Sequence, residues 1–256
     1  MIRAAAPSEI AGASGDQIKE YQEKGYLVVR GLFSPGEAAS WSEEAERLLH
    51  SDLVSPENIR TPFRMSSREY PERIDPVVDI SPLFSELVRD SRITRLVQDL
   101  FEDTPLLFKD KLIFKLPGVE GYTMHQDQAW WQLCPPSDIL SVSIAIDSAS
   151  AANGSIALYP GYHHAMLTPA GVMRNFQAGE IAQIDRSRGE LMETQPGDIV
   201  LFHSLTPHES GPNTSKAPRR SLYLSYSAAR SGDLNKVYYE QYKARVGGGS
   251  ESKFFK

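Results

Sequence analysis

The spacing of apolar residues changes near residue 104 and divides the chain into a helical part and a strand-rich part. Upstream, apolar residues recur three or four positions apart, a spacing that places them on one face of an α-helix. The clearest set is Ala38, Trp41, Ala45, Leu48 and Leu49, so Trp41 is expected in the core. Downstream, short apolar runs alternate with turns rich in proline and glycine, which is typical of β-strands.

Two serines mark the starts of helices in the first part. Ser14 is followed three positions later by Gln17, and Ser34 is followed three positions later by Glu37. A serine with Glu or Gln at this distance forms a capping box at a helix N-terminus. These signals predict a helix ending near Lys24, a short strand at 26–29, a helix from about 35 to 49, and one broken or two consecutive helices over 81–101.

Six strands are predicted in the second part, near 106–115, 122–126, 139–146, 154–159, 198–203 and 219–227. Many strands after a helical section favour a mostly β fold with flanking helices, namely a double-stranded β-helix with a jelly-roll, cupin-like core. We interpret residues 1–256 as a single domain with an N-terminal helical part (about 1–104), the core (about 105–230) and a C-terminal tail (about 231–256). The glycine-rich stretch 246–250 in that tail is expected to be mobile.

Composition restricts the classes of function. The chain has 256 residues, of which 41% are hydrophobic, which is enough for a sizeable core. The net charge is −6 without a long basic run, so nucleic acid is not an expected partner. No apolar run approaches the roughly 18 to 20 residues of a membrane span. The single Cys134 and the absence of a secretory signal at the N-terminus favour a cytoplasmic protein.

His125, Gln126 and Asp127 form an H-x-D motif, and His208 follows far downstream. In an extended segment the first and third residues project to the same face, so His125 and Asp127 can converge on one ion while Gln126 points away. Two histidines and one carboxylate on one side of a metal leave coordination positions open, as in non-haem Fe(II) oxygenases. The pattern predicts a reactive metal site with His125, Asp127 and His208 as ligands.

Further motifs surround this pair in a fixed order, at 121–127, 153–155, 160–163, 197–203 and 208–213. The series resembles the phytanoyl-CoA dioxygenase-like branch of the Fe(II)/2-oxoglutarate oxygenases, and the likeness runs from about Tyr26 to Ala228. The resemblance implies Fe(II) as cofactor, held by the three ligands above, with 2-oxoglutarate and O2 as co-substrates. One departure is Ser143, at a position where the family often has tryptophan, so that wall of the pocket is expected to be roomier.

The resemblance also implies two contacts for 2-oxoglutarate. Arg219, eleven residues after His208, matches the arginine that binds the distal carboxylate, and Ser210 matches a hydroxyl that often assists. A guanidinium fork suits a carboxylate. The neighbouring Arg220 is the alternative, but alternation along a strand separates the two. Arg219 shares its face with Ser221, Tyr223 and Ser225, whereas Arg220 shares its face with Leu222, Leu224 and Tyr226.

Other polar residues near the motif have less definite roles. His203 ends an apolar run five residues before His208, so we expect it to pack rather than to bind metal. Lys109, Lys111 and Lys115 precede the motif, and each is expected on a solvated face. Two long irregular stretches, 51–79 and 168–189, are expected to cover the substrate. The candidate substrate residues are Trp130, Trp131 and Arg64.

The expected reaction is hydroxylation of an unactivated C–H bond of a small molecule, with release of succinate and CO2. Related halogenases have a small residue in place of Asp127, so the carboxylate favours hydroxylation. Desaturation, epoxidation or rearrangement by the same oxidising chemistry are alternatives. Modest cover loops and the absence of a CoA motif favour a free small molecule of specialised or natural-product metabolism. Zinc-dependent hydrolysis and a non-enzymatic jelly-roll binding module are the competing classes, although zinc-dependent hydrolysis leaves Arg219 unexplained.

Overall fold

The computed structural model describes residues 12–54 and 71–246 of the chain. The helices in these ranges are α1 (Gly15–Lys24), α2 (Pro35–Leu49), α3 (Pro82–Leu87), α4 (Ser91–Phe101), α5 (Ala178–Ile181) and α6 (Asn235–Val246). The strands are β1 (Tyr26–Val29), β2 (Arg73–Ile74), β3 (Pro105–Lys115), β4 (Tyr122–His125), β5 (Ile139–Ala145), β6 (Ile156–Leu158), β7 (Glu190–Leu191), β8 (Ile199–His203), β9 (His208–Ser210) and β10 (Arg219–Ala228).

Serine side chains cap the first two helices, as the capping-box pattern predicts. The Ser14 hydroxyl accepts a hydrogen bond from the Gln17 N–H, and the Gln17 side chain accepts one from the Ser14 N–H. Ser34 and Glu37 make the same pair of bonds at the start of α2. Gly25 ends α1 with a φ of 83°, in the left-handed region that favours glycine. The helices predicted from these signals are confirmed.

Two antiparallel sheets form the strand-rich part. The larger sheet has six strands in the order β1-β8-β5-β10-β3-β2, and the smaller has four in the order β4-β9-β6-β7. Strands that are neighbours in a sheet are mostly distant in sequence, so the chain passes repeatedly from one sheet to the other. This topology is that of the predicted double-stranded β-helix.

The two faces of the larger sheet have different environments. Its outer face packs on the helices, where Leu222 and Leu224 of β10 join a buried cluster with Trp41 of α2 and Ile93 of α4. Its inner face looks toward the smaller sheet, and Tyr223 of β10 belongs to a second cluster between the sheets. The site residues must therefore lie on the odd-numbered face of β10.

The two stretches expected to be irregular covers contain regular structure. Residues 71–77 are buried and include β2, which pairs with β3 at the edge of the larger sheet. Within 168–189 lies α5, and Phe176 and Ile184 pack with Met124 of β4. Residues 55–70, and with them Arg64, lie outside the described residues, as does the glycine-rich segment 247–250.

The described part of the chain contains no helix that is both long and apolar enough to span a membrane. Cys134 is a partly buried free thiol, and burial raises its pKa to about 11.

Candidate metal centre

The H-x-D motif lies where β4 ends. His125 is the last residue of β4, and Asp127 begins a single 3-10 turn that extends to Ala129. His208 is the first residue of β9, and it pairs directly with His125 across the smaller sheet. Strand pairing therefore brings the distal histidine to the motif, although the two are more than eighty positions apart in the chain.

The three side chains converge to metal-binding distances. Asp127 Oδ1 lies 3.7 Å from His125 Nε2 and 3.9 Å from His208 Nε2. One potential ligand atom from each residue lies within 4.8 Å of the others, and in the described residues this is the one group of at least three such side chains. His208 and Asp127 are buried and His125 is partly exposed. The site is thus open on the side of His125.

Backbone carbonyls orient both imidazole rings. His125 Nδ1 lies 2.8 Å from the carbonyl oxygen of Thr123, and His208 Nδ1 lies 2.9 Å from that of Thr206. A carbonyl oxygen only accepts, so each neutral ring carries its proton on Nδ1 and directs the Nε2 lone pair toward the site. This is the outer hydrogen bond typical of metal-binding histidines.

The protonation states also suit a cation. Burial alone raises the pKa of Asp127, but the adjacent side chains of His125, His208 and Lys111 lower it well below its usual range. Burial, together with the charge of His125, lowers the pKa of His208 to about 4. A carboxylate and neutral imidazoles are the forms that bind metals.

Gln126 lies between the two proposed ligands of the motif and points the other way, as predicted. Its side chain is fully buried. The amide donates to the carbonyls of Ala165 (2.9 Å) and Leu205 (2.7 Å), and its oxygen accepts from the N–H of Leu167 (2.9 Å). One side chain therefore connects the end of β4 to two loops, a role that the sequence alone does not reveal.

His203 lies apart from these three side chains. Its Nδ1 accepts from the Leu205 N–H at 3.0 Å, and its ring packs 5.6 Å from that of His163 and 6.5 Å from that of Tyr21. Burial and the neighbouring histidines lower its pKa to about 4. The structure thus places His208, and not His203, beside the H-x-D pair.

Arg219 and Arg220 lie on opposite faces of β10, which confirms the alternation argument. Arg219 is 3% exposed, its Nη1 donates to Ser221 Oγ at 3.2 Å, and its buried Nε has no hydrogen-bond partner in the part of the chain that the structure describes. Arg220 instead binds both carboxylate oxygens of Asp147 (2.8 and 2.9 Å) and contacts Ser42 of α2. Of these two arginines, Arg219 is the one with unused donor capacity on the inner face.

Ser210, the predicted partner of Arg219, is buried at the end of β9. Its hydroxyl oxygen accepts from Lys115 Nζ at 2.7 Å and from the Tyr122 N–H at 3.2 Å. Lys115 Nζ also contacts the carbonyls of Gly154 (3.2 Å) and Gly211 (2.5 Å). Since both acceptor positions of Ser210 are used, its own proton is available for a further acceptor.

The expectation that the three lysines of β3 are solvated is wrong. Lys109 and Lys115 are buried, at 4% and 0% exposure, and Lys111 is partly buried. All three lie on the face of β3 that is paired with the odd-numbered residues of β10. Lys109 Nζ binds Asp75 at 2.8 Å and the Tyr238 hydroxyl at 3.0 Å. Alternation identifies two faces of a strand but not which face meets water, and here the inner face is polar.

The two tryptophans after the motif differ in burial. Trp131 is buried against Phe108, with ring centroids 5.6 Å apart, in a cluster that also contains Tyr238 of α6. Trp130 is partly buried at the edge of this cluster. Contact of Trp130 with substrate stays a prediction, whereas Trp131 belongs to the packing beneath α6.

Known proteins resemble this chain over most of its length. The family model described as phytanoyl-CoA dioxygenase (PhyH) matches residues 21–221. The chain is 27% identical over 235 residues to a methylphosphonate hydroxylase of Gimesia maris, covering 87% of this chain and 84% of the relative. It is 30% identical over 235 residues to a probable alpha-ketoglutarate-dependent hypophosphite dioxygenase of Stutzerimonas stutzeri, covering 86% and 80% respectively.

Solved structures share the fold. The iron-bound structure of EctD from S. alaskensis superposes with a TM-score of 0.77 at 22% identity, covering 89% of this chain and 81% of that chain. The epimerase SnoN from nogalamycin biosynthesis gives a TM-score of 0.69 at 22% identity, covering 84% and 82%. These likenesses confirm the predicted jelly-roll, cupin-like core.

Proposed function

Because the chain belongs to the phytanoyl-CoA dioxygenase (PhyH) family of oxidoreductases, we propose that it is an Fe(II)- and 2-oxoglutarate-dependent dioxygenase. Its reaction is hydroxylation of an unactivated C–H bond of a small molecule, with release of succinate and CO2. The observation that carries this proposal is the convergence of His125, Asp127 and His208 with both Nε2 atoms directed inward.

The donor set fits Fe(II). Two neutral imidazoles and one carboxylate on one side of an ion are the facial arrangement that leaves positions for co-substrate and O2. When bound, iron and 2-oxoglutarate supply the activation of O2 and the oxidising equivalents for hydroxylation. The role of His125, Asp127 and His208 is to hold the ion in one orientation, and Ser141 assists because its hydroxyl donates to Asp127 Oδ2 at 3.3 Å.

Arg219 and Ser210 provide the site for the distal carboxylate of 2-oxoglutarate. The guanidinium of Arg219 is buried and its Nε lacks a partner, a costly state unless an anion completes its hydrogen bonds. Ser210 is held in place by Lys115 and has a proton to donate. Zinc-dependent hydrolysis would leave the buried guanidinium unexplained, so we favour the oxygenase.

Apolar residues on the inner faces of the sheets keep the pocket dry. Val200 and Phe202 of β8, Ile113 of β3 and Leu158 of β6 form one buried cluster with Tyr223. Excluding water strengthens the polar contacts inside the pocket and protects the oxidising chemistry from side reactions.

The substrate is proposed to be a free small polar molecule of specialised metabolism. Relatives include enzymes named for methylphosphonate, hypophosphite and ectoine, and small polar substrates of this kind suit the modest size of the segments around the pocket. The retained carboxylate of Asp127 supports hydroxylation as the outcome, with desaturation, epoxidation or rearrangement as variants of the same chemistry. A single domain, a cytoplasmic location and a substrate contact by Trp130 are parts of the same proposal.

Anaerobic titration of the Fe(II)-loaded protein with 2-oxoglutarate tests the proposal. We expect the weak visible charge-transfer band of an iron-bound 2-oxo acid. Replacing a proposed ligand should abolish metal binding, so His208→Ala and Asp127→Ala should give no band, whereas His203→Ala should retain it. The proposal fails if the wild-type protein binds Fe(II) without forming the band. Equal loss in all three variants would overturn the choice of His208 as distal ligand.

A further inference from the structure

Lys111 is a cation in the interior of the barrel that has no hydrogen-bond or ion-pair partner among the described residues. It lies on β3 directly opposite Tyr223 of β10, and its Nζ lies 5.0 Å from the centre of the Tyr223 ring. Among the contacts of the described residues, Lys111 makes neither a hydrogen bond nor an ion pair. Its neighbours on the same face differ, because Lys109 binds Asp75 and Lys115 uses its donors on three oxygen atoms.

The position of Lys111 relates it to the proposed metal ligands. The ring of Tyr223, which Lys111 contacts, lies in the cluster between the sheets with Phe202, and the Phe202 ring lies 5.0 Å from that of the proposed ligand His208. Burial in turn lowers the pKa of Lys111 to about 8, an effect that Asp127 partly offsets. Unlike the fully buried Lys109 and Lys115, Lys111 keeps some accessible surface, as expected of a group that lines a cavity.

The charges of the loaded site leave this ammonium uncompensated. The two positive charges of Fe(II) and the one of Arg219 are balanced by Asp127 and by the two carboxylates of 2-oxoglutarate. Lys115 adds a positive charge, but three oxygen atoms accept its hydrogen bonds, whereas Lys111 remains as a positive charge with no acceptor among the described residues in an interior with apolar walls. Since an isolated charge in such surroundings is expensive, a ligand that brings one negative charge is favoured there.

We propose that Lys111 binds an anionic group of the substrate, and that the substrate is therefore a small acid, such as a phosphonate, phosphinate or carboxylate. The ammonium fixes the acid group beside the metal centre and so presents a neighbouring C–H or P–H bond to the oxidant. This inference rests on the proposed function, and it adds the charge of the substrate and the residue that recognises it. A compact ammonium suits this task because its three donors can rotate to follow different acid groups.

The competing use of Lys111 is a contact with 2-oxoglutarate itself. The substrate acid and 2-oxoglutarate both offer an oxyanion, so an experiment must titrate the two compounds separately. We suggest an anaerobic comparison of wild type, Lys111→Met and Lys111→Arg, each loaded with Fe(II). Methionine keeps the length of the side chain without its charge, and arginine restores the charge.

The first titration uses 2-oxoglutarate and reads the charge-transfer band. The second adds methylphosphonate, hypophosphite or acetate to the complex with 2-oxoglutarate and reads the shift of that band and the rise in melting temperature. Dimethyl methylphosphonate, a neutral ester, is the control titrant. Formation of the band in the first titration tests the proposed function, and the response to the acids tests this inference.

We expect at least one of the acids, but not the ester, to perturb the wild-type complex. Lys111→Met should bind 2-oxoglutarate as wild type does but lose about 10- to 100-fold in affinity for that acid, the effect of one charge-assisted hydrogen bond. Lys111→Arg should recover most of the affinity for the acid. The proposal is overturned if Lys111→Met loses affinity for 2-oxoglutarate instead, if its affinity for the acid is unchanged, or if no acid perturbs the wild-type complex.

Discussion

Neighbouring arginines on β10 contact different parts of the molecule. Arg219 faces the interior between the sheets, where its Nε has no partner, whereas Arg220 joins Asp147 and α2 on the outer face. The same guanidinium group is therefore expected to serve ligand binding at one position and stability at the next.

Substitution by methionine should separate these two roles. Arg219→Met should weaken binding of 2-oxoglutarate by about 10- to 100-fold, because a buried charge-assisted contact is lost, with little effect on unfolding. Arg220→Met should leave 2-oxoglutarate binding unchanged and lower the free energy of unfolding on the order of 3 kcal/mol, because it leaves Asp147 without its partner. Anaerobic titration and urea unfolding measure the two effects, and a reversed ranking would contradict the assignment of faces.

Much of the site was predictable residue by residue, and the reasons differ. The H-x-D spacing and strand alternation placed Asp127 and Arg219 correctly on the inner side. The lysines of β3 were misplaced, because polar residues at alternate positions indicate solvent in an open sheet but indicate a polar pocket in a closed barrel. The pairing of β3 with β10 places Lys111 on the same face as Arg219. Strand pairing belongs to the tertiary structure, so the sequence alone did not reveal this position.

At the scale of elements, the end of β4 is connected to the neighbouring loops by hydrogen bonds of the Gln126 side chain, and not by the proposed ligands beside it. The Gln126 amide spans from this strand to the segment with Ala165 and Leu167 and to the β8–β9 loop with Leu205. The metal pair is thereby coupled to a segment that also contacts β4 through Phe176, whose N–H donates to the Met124 carbonyl at 2.9 Å.

Gln126→Leu should loosen that coupling. The change removes the partner of one buried backbone group, the Leu205 carbonyl, and of two partly buried ones, and it is expected to cost about 2 kcal/mol. Amide exchange of Leu167 should accelerate, since its N–H loses its acceptor. Gln128→Leu is the matched control, because the Gln128 side-chain amide donates to the carbonyls of Trp131 and Cys134, which are near it in the sequence. Equal acceleration at Leu167 in both variants would exclude a specific role for Gln126.

Elements with a strong periodic signal were predicted, and some of the shortest strands were not. The limits of β3, β5, β8 and β10 agree with the sequence within about two residues. By contrast β2, β7 and β9 span only two or three residues each, too few to show alternation. α6 was missed because its buried face is built from tyrosines, among them Tyr238 and Tyr239, and not from an aliphatic stripe.

At the scale of the whole molecule, stability should depend on the histidines that lie outside the proposed metal centre. His203 packs against His163, burial lowers the pKa values of both, and His164 adds to the shift. These rings connect α1 to the loops around residues 163 and 205, because His163 also contacts the Gln22 carbonyl.

The sign of the pH dependence follows from the lowered pKa of His203, about 4 in the folded chain against 6.5 when unfolded. Below pH 6.5 the His203 imidazole is protonated in the unfolded chain but stays neutral in the folded chain. Stability present at neutral pH is therefore lost as the pH falls toward 4. His203→Asn keeps an acceptor for Leu205 but cannot titrate. Between pH 7.5 and 5.0 its unfolding free energy should fall by about 2 kcal/mol less than that of wild type. An identical decline in both proteins, measured by urea unfolding, would refute this role.

The carbonyls that orient His125 and His208 have a consequence for sequence drift. Each ring bonds to the backbone two residues earlier, at Thr123 and Thr206, and every amino acid supplies a carbonyl. The tautomer of each imidazole therefore does not depend on the identity of the side chain at 123 or 206, although the buried Thr206 hydroxyl separately donates to the Gly25 carbonyl at 2.7 Å. The feature that must be conserved is the path of the main chain, which places each carbonyl beside its histidine. Point substitutions at these two positions should be tolerated by the metal centre, whereas a one-residue insertion or deletion between either carbonyl and its histidine should not.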